Sequence, residues 1–244
     1  MTTLRLLPFT TADGPHNMAA DEALLESAAA GVASLRFYAW SKPMLSLGYF
    51  QAAALRLSDP LLAGLPFVRR PSGGGALVHD REITYALALP AGPPWQVKGE
   101  SWLCRMHGVI TAALAALGAS ARSVGCGEER KLGELLCFQH QTPADLLISG
   151  RKIVGSAQRR QRGALMQHGS ILLARSPHTP GLPGLRELAG VEISPENLAA
   201  AVCDDFQRET GWDVAPGDRT TAERQRVEEL AAGKYDQDSW NRKR

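Results

Sequence analysis

Between Arg69 and Asp80 the chain reads Arg-Arg-Pro-Ser-Gly-Gly-Gly-Ala-Leu-Val-His-Asp, and the run of glycines restricts what can surround it. With three side chains missing in succession (Gly73, Gly74, Gly75), another group can lie directly on the main chain. Glycine inside a strand packs nothing and loses more conformational entropy on ordering than other residues. The flanking segments 67–70 and 76–79 have strand character, as does 82–89. The glycines are therefore expected between strands, as a surface shaped for close approach of a ligand, with Arg70 and the Ser72 hydroxyl at its edge. No helical pattern follows them at once, which a dinucleotide fingerprint requires. No Gly-Lys-Ser/Thr completes a nucleoside-triphosphate loop.

Periodicity organises the rest. Residues 17–30 read as a helix with Met18, Leu24, Leu25 and Ala28 on one face and Gly31 as its stop. Segments 35–40 and 44–50 resemble a hairpin around Ser41-Lys42-Pro43. In 101–117, Met106, Val109, Ile110, Ala113, Leu114 and Leu117 recur at helical spacing, and Gly118 closes the run. Residues 120–134 read as a loop, and 144–149, 152–158 and 164–174 as strands joined by turns at Gly150-Arg151 and Gly163. The proline-rich stretch 175–186 breaks regular structure. Two helices finish the chain, one capped by Ser194-Pro195 and stopped by Gly211, the other opened by a Thr220/Glu223 capping box and ended by Gly233. Helix, strands, helix, strands, helices is the order of an α+β fold rather than of alternating parallel units. One domain over residues 1–244 is expected, its core spanning about 30–215, with helices at about 195–233 packed on it.

Composition narrows the classes of function. With 244 residues, 44% hydrophobic and 21% charged, the chain resembles ordinary water-soluble proteins. A formal charge of +2 gives no ground for a nucleic-acid partner. The basic run Arg159, Arg160, Arg162 reads either as a solvated strand edge or as a patch for an acidic partner. No stretch approaches the ~20 apolar residues of a membrane span, and residues 1–15 lack the pattern of a secretory signal. The cysteines at 104, 126, 137 and 203 are too scattered for a zinc site or a disulfide framework, so no metal is expected and reduced thiols in the cytoplasm are the default.

Two side chains could do covalent chemistry. Lys152 leads a strand with Gly155-Ser156-Ala157 just after it, so its ammonium could reach a pocket; an exposed strand-end lysine is the bland reading. Gln167-His168-Gly169-Ser170 is a second place where a glycine among polar residues interrupts an apolar strand. A free thiol with pKa about 8.5 is only a few per cent ionised at neutral pH, and a lysine ammonium within about 4–6 Å favours the thiolate. Cys137 lies a strand and a turn away from Lys152, so a hairpin could bring them together. Cys126, in Gly-Cys-Gly, is the competitor, whereas Cys104 and Cys203 fall in apolar helices and look structural.

Three motifs in order carry a resemblance. Arg69 to Ala76 with His79-Asp80 is similar to the ligand loop of the lipoate–protein ligase and octanoyltransferase family. Gly150 to Gln158 resembles its second signature and Gln167 to Leu172 its third. Asn17-Met18-Ala19 with Asp21 to Leu24, the 37–51 segment, and the final Lys234-Tyr235 and Trp240-Asn241 extend the likeness over nearly the whole chain. The resemblance implies a mostly antiparallel or mixed sheet packed by helices, related to biotin–protein ligases. It also implies that Arg70, Ser72, Gly73, Gly74, Gly75, His79, Gly155, Ser156, Ala157, His168 and Gly169 bind an acyl substrate.

Within the family, a ligase activates a free acid with ATP, while a transferase starts from a thioester. Cys137-Phe138 before the lysine signature, and Glu82 to Tyr85, resemble the Gram-positive-type octanoyltransferase; Ser72 to Ala76 reads more like the ligase loop. Many ligases also carry an additional C-terminal domain, for which this chain leaves no room. The resemblance thus implies octanoyl transfer from acyl carrier protein through a Cys137 thioester, with Lys152 as its partner, to a lysine of a lipoyl carrier domain. That acceptor would be a glycine-cleavage H-type protein or a 2-oxoacid dehydrogenase E2 domain. No cofactor is implied. ATP enters only if the chain is instead a lipoate ligase lacking its accessory domain. Lipoyl or octanoyl amidotransfer between carrier proteins would use the same cysteine, and non-catalytic binding of an acyl carrier is a reading of a different class.

Overall fold

A computed structural model describes residues 2–133 and 135–244; Glu134, at the end of the expected loop, lies outside them. Along the first half run β1 (Thr3–Leu6), β2 (Thr10–Ala12), α1 (Gly14–Ala29), β3 (Ser34–Trp40), β4 (Met44–Leu47), α2 (Pro60–Ala63), β5 (Phe67–Arg69), β6 (Leu77–His79), β7 (Glu82–Leu89) and α3 (Trp102–Ala116). Then follow β8 (Arg122–Ser123), β9 (Arg130–Lys131), β10 (His140–Gln141), β11 (Leu146–Ile148), β12 (Arg151–Gln161) and β13 (Ala164–Leu172). Last come α4 (Leu185–Ala189), α5 (Pro195–Thr210), β14 (Asp213–Pro216), α6 (Thr221–Leu230) and α7 (Asp238–Asn241).

The main sheet has the order β14-β1-β3-β7-β13-β12-β11-β8, with β2 also beside β3. From β3 to β8 every pairing is antiparallel, while β1, β2 and β14 add parallel edges, so the fold is α+β with a mixed sheet. Side chains alternate across β13. Leu165 and Ile171 join the core under α3 and α5, whereas Ala164 and Met166 pack with Leu24, Leu25 and Ala28 of α1. Helices thus cover both faces, which is why every residue of β13 is buried. At the turns, Ser149-Gly150 and Arg162-Gly163 both have positive φ, the geometry of tight two-residue hairpins.

The expected hairpin between 35–40 and 44–50 does not form. β3 belongs to the main sheet, whereas β4 pairs with β5 and β6 in a separate three-stranded sheet. All four residues of β4 are buried, and Leu45 and Leu47 share a core with Leu62 and Val78 that a two-stranded ribbon could not provide. Ser41-Lys42-Pro43 is where the chain crosses between sheets, and residues 48–50 are a turn closed by Gln51 N–H on Gly48 O at 3.1 Å. Gly233 does not end its helix either. Winding continues through a π turn, Ala231–Tyr235, because Tyr235 is fully buried against α1 and its hydroxyl donates to Glu22. The break expected to run to Arg186 stops short, since α4 begins at Leu185. Cys104 is exposed on the outer face of α3, so it is not a core residue; Cys203 is buried, and burial pushes its thiol up to about 12. No helix among the described residues is long and apolar enough to cross a membrane.

Candidate active site

A narrow cleft of about 50 Å³ opens between the two sheets. The main sheet contributes Tyr38, Thr84, Gly155 to Ala157 and His168 to Ser170; the small sheet and its loop contribute Ser46, Leu77, His79, Arg70, Gly73 and Gly74. Small residues dominate the main-sheet side of the cleft. Cys137 also lines the cleft. Of the residues implied as substrate-binding, Ser72 and Gly75 lie behind this lining and the others form part of it.

Cys137 begins a short 3₁₀ turn, Cys137–Gln139, and is pinned to the glycine loop. Its N–H donates to Ala76 O at 2.7 Å, and Ala76 N–H donates to Leu135 O at 2.8 Å. A Cβ at Gly75 would sit 2.8 Å from the Cys137 nitrogen and 2.9 Å from its Cα. The close approach that Gly75 permits is thus made by the cysteine segment of the protein itself. The N–H groups of Gly73, Gly74 and Gly75 make no hydrogen bond among the described residues. They remain available as donors to an acyl oxygen.

Lys152 stands beside the sulfur. Its Nζ is 3.6 Å from Cys137 Sγ and 3.4 Å from Cys137 O, and its stem folds over Gly155, where a Cβ would sit 2.5 Å from Lys152 Cε. On the other side, Nζ meets Asp145 Oδ2 at 2.7 Å, with both side chains at most 5% exposed. Thr142 holds that carboxylate, its N–H donating at 2.8 Å and its hydroxyl at 2.9 Å to the same oxygen. The sulfur therefore faces a fixed positive charge. A second lies nearby on Arg70, which is buried, and burial lowers its pKa.

Both cleft histidines are fully engaged. His79 Nδ1 is 2.8 Å from Glu82 Oε1 and its Nε2 is 2.7 Å from Ser46 Oγ, while the ring stacks on Trp40 at 3.7 Å between centroids. Ser46 Oγ in turn accepts from Arg70 at 2.7 Å, and the other Arg70 amino group donates to Gly75 O at 2.8 Å and Gly73 O at 3.2 Å. Burial lowers the His79 pKa, with the Glu82 carboxylate opposing. His168 Nδ1 is 2.9 Å from Asp21 Oδ2, and its Nε2 is 2.5 Å from Ser72 Oγ. Carboxylates only accept, so each Nδ1 carries a proton toward its carboxylate, and in a neutral ring the serine hydroxyl donates to Nε2. These two relays fasten the glycine loop at Arg70 and Ser72.

Several residues on which this geometry depends carry little signal in the sequence. Asp21 also accepts from Tyr38 OH at 2.9 Å and pairs with buried Arg36 at 3.1 Å; Asn17 and Asp21, polar residues four apart on a buried helix face, were the available signal. Asp145 was legible only as a carboxylate opposite the lysine across the Ser149-Gly150 turn, where Leu147 pairs with Lys152. His107 donates its Nδ1 proton to Ala144 O at 2.6 Å and accepts from Ser156 Oγ at 2.6 Å, so the Ser156 hydroxyl is turned toward α3. Cys126 is exposed, away from the cleft lining. Among the described residues no three His, Cys, Asp or Glu side chains gather as a metal site.

Comparison with known proteins bears on this geometry. Residues 13–179 match the family model of the lipoyl protein ligase A/B catalytic domain. Octanoyltransferase LipM of Kyrpidia tusciae is 35% identical, covering 99% of this chain and 99% of its own. Octanoyltransferase LipM of Halalkalibacterium halodurans is 31% identical with the same coverage of both. Among solved structures, lipoate-protein ligase A bound with ATP has a TM-score of 0.79 at 22% identity, covering 99% of each chain. A bipartite lipoate protein ligase of Thermoplasma acidophilum, described with its E2 lipoyl domain, has a TM-score of 0.76 at 22% identity over 99% of this chain and 97% of that one. At those identities the structural likeness speaks for the fold.

Proposed function

Because the chain belongs to the lipoyl protein ligase A/B catalytic-domain family, we propose that it is an octanoyltransferase working through a thioester on Cys137. The Cys137 thiolate attacks the carbonyl of an octanoyl thioester on acyl carrier protein. A new S–C bond forms, and the carrier sulfur leaves and takes up a proton. The neutral amine of a lysine on a lipoyl carrier domain, of glycine-cleavage H-type protein or of a dehydrogenase E2, then attacks the enzyme thioester. The amide bond forms, Cys137 leaves as thiolate, and the amine surrenders its proton to solvent. Splitting acyl transfer in this way replaces one difficult displacement with two easier ones.

Lys152 supplies positive charge to the sulfur in both steps, Asp145 and Thr142 fix the lysine, and the glycine-loop N–H groups receive the carbonyl oxygen as it gains charge. Burying the acyl tail contributes about 0.8 kcal/mol per methylene. The energy for the amide comes from the incoming thioester, so the sequence of steps uses neither nucleotide nor metal. The site of action is the cytoplasm, where the unpaired cysteines stay reduced.

The observation that carries this reading is the 3.6 Å contact between Lys152 Nζ and Cys137 Sγ beside the glycine loop. An apo lipoyl carrier domain incubated with enzyme and octanoyl carrier protein, without ATP, should become octanoylated on its lysine. Modification that instead requires free octanoate or lipoate plus ATP, with pyrophosphate release, would assign the protein to the ligases.

A further inference from the structure

Beside the cleft, outside the residues used above, lies a cluster of cations. Lys243 Nζ sits 3.6 Å from the Tyr49 ring centroid and 3.4 Å from that of Trp240. Arg244 Cζ is 5.6 Å from Tyr49 and 5.4 Å from Phe50, and Arg159 Cζ is 6.0 Å from Tyr49. Among the described residues no side-chain carboxylate pairs with Arg159, Lys243 or Arg244, whereas the neighbouring Lys234 and Arg242 are matched by Glu22 and Asp238. Beneath them, the buried Arg69 guanidinium is satisfied by carbonyls alone: Gly48 O at 2.9 Å, Gln51 O at 2.6 Å and Asn241 O at 2.9 Å. The Lys243 ammonium holds the Tyr49 hydroxyl below its ordinary pKa. In the middle of this field Phe50 is 72% exposed.

The position of the patch gives it meaning. A Cβ on Gly73 would lie 3.9 Å from the Phe50 ring, and Gln51 Nε2 donates to Leu135 O at 3.0 Å, two residues before Cys137. An exposed aromatic ringed by cations is what an acidic protein face with an apolar centre would recognise. Two residues of chain and two van der Waals contacts separate that ring from the sulfur, which places the two within about 15 Å of each other. A thioester on a long flexible arm bridges such a span.

We propose that Arg159, Lys243 and Arg244 around Phe50 form the docking surface for the acidic face of the carrier protein that delivers the acyl thioester, an inference that rests on the transferase reading above. The basic run noted in the sequence then acts through Arg159, at the end of β12 nearest the Tyr49 turn.

The test compares wild type with Arg159→Glu/Lys243→Glu/Arg244→Glu, and with Arg159→Glu/Arg244→Glu, which leaves the half-buried Lys243 stacking intact. Acylation of Cys137 is followed with octanoyl carrier protein and with octanoyl-pantetheine, and binding of the unacylated carrier is titrated directly. Expected for both variants is a fall of at least ten-fold in kcat/KM with the protein donor, expressed in KM, with a flattened salt dependence. Acylation by octanoyl-pantetheine and transfer to the acceptor domain should stay within two-fold of wild type. Unchanged use of the protein donor, a parallel loss with both donors, or a loss confined to transfer to the acceptor would each overturn the proposal. Failure of wild type to be acylated by either donor would remove the covalent reading, and carrier binding by wild type but not by the variants would still decide the surface.

Discussion

Replacing Gly155 with alanine sets a methyl group 2.5 Å from Cε and 2.8 Å from Nζ of Lys152. Non-bonded carbons rest about 3.5–4.0 Å apart, so the end of the lysine has to retreat by roughly 1 Å. The obstruction is the tip of a flexible side chain, and β12 can keep its pairing with β13. The expected damage is therefore to the position of the charge and not to the fold. Opposite unit charges about 4 Å apart attract by about 4 kcal/mol at an effective dielectric constant of about 20, and retreat to about 5 Å removes about 1 kcal/mol. Lost from the attacking sulfur, that is roughly five-fold in rate; poorer alignment with the acyl carbonyl takes the expected loss to on the order of 5–50-fold. Intact-mass time courses of octanoyl transfer onto Cys137 at saturating thioester, with a thermal melt of each protein, provide the assay. Acylation at the wild-type rate in Gly155→Ala would refute the assignment of Lys152. So would a melting point low enough to explain the slow rate through unfolding.

Asp145→Asn leaves the Lys152 ammonium buried without its carboxylate, which should cost about 3–5 kcal/mol and lower Tm by roughly 6–20 °C. The double variant Asp145→Asn/Lys152→Met should regain much of that stability while remaining inactive, and calorimetry beside the acylation assay checks both. Gly75→Ala pushes its methyl into the Cys137 main chain, where no flexible atom can yield; loss of acylation should come with a Tm change, unlike Gly155→Ala. Glu223 offers a pH test. Burial pushes its carboxyl up, but hydrogen bonds from Arg5, Ser27 and the Thr220 N–H outweigh it and hold the pKa at about 2. A lowered folded-state value stabilises the protein above the unfolded carboxyl pKa of about 4.3, and that stability is lost as pH falls toward about 2. Glu223→Gln should thus cost about 1–2 kcal/mol at neutral pH, allowing for solvent screening, and nothing near pH 2; a Tm gap independent of pH would contradict the assignment.

Where local chemistry dictates geometry, the chain was legible. The α3 stripe from Met106 to Leu114, the Ser194, Thr220 and Gly211 caps, and the turns at Gly150 and Gly163 all appear where residue type and spacing put them. A tight turn does fold β12 back on β11, but it sets Lys152 opposite Leu147; Cys137 reaches the ammonium from a 3₁₀ turn held to Ala76 of the glycine loop. Partners contributed by distant segments were not legible. The β3–β4 pair looked like a hairpin because its turn is well formed locally; only the burial of β4 on both faces decides that it belongs to another sheet. Asp21 reaches His168 across 147 positions; the polar pair Asn17 and Asp21 on a buried helix face signals that a partner exists but does not say which. Gly233 failed as a stop because the burial of Tyr235 outweighs the local preference.

The most direct measurement is the intact mass of the protein after mixing with octanoyl carrier protein alone, followed by peptide mapping. The expected result is a gain of one octanoyl group on Cys137, absent in Cys137→Ala and discharged by adding an apo lipoyl carrier domain. Octanoylation of the acceptor by Cys137→Ala at the wild-type rate, or an adduct on Cys126 instead, would contradict the covalent role assigned to Cys137.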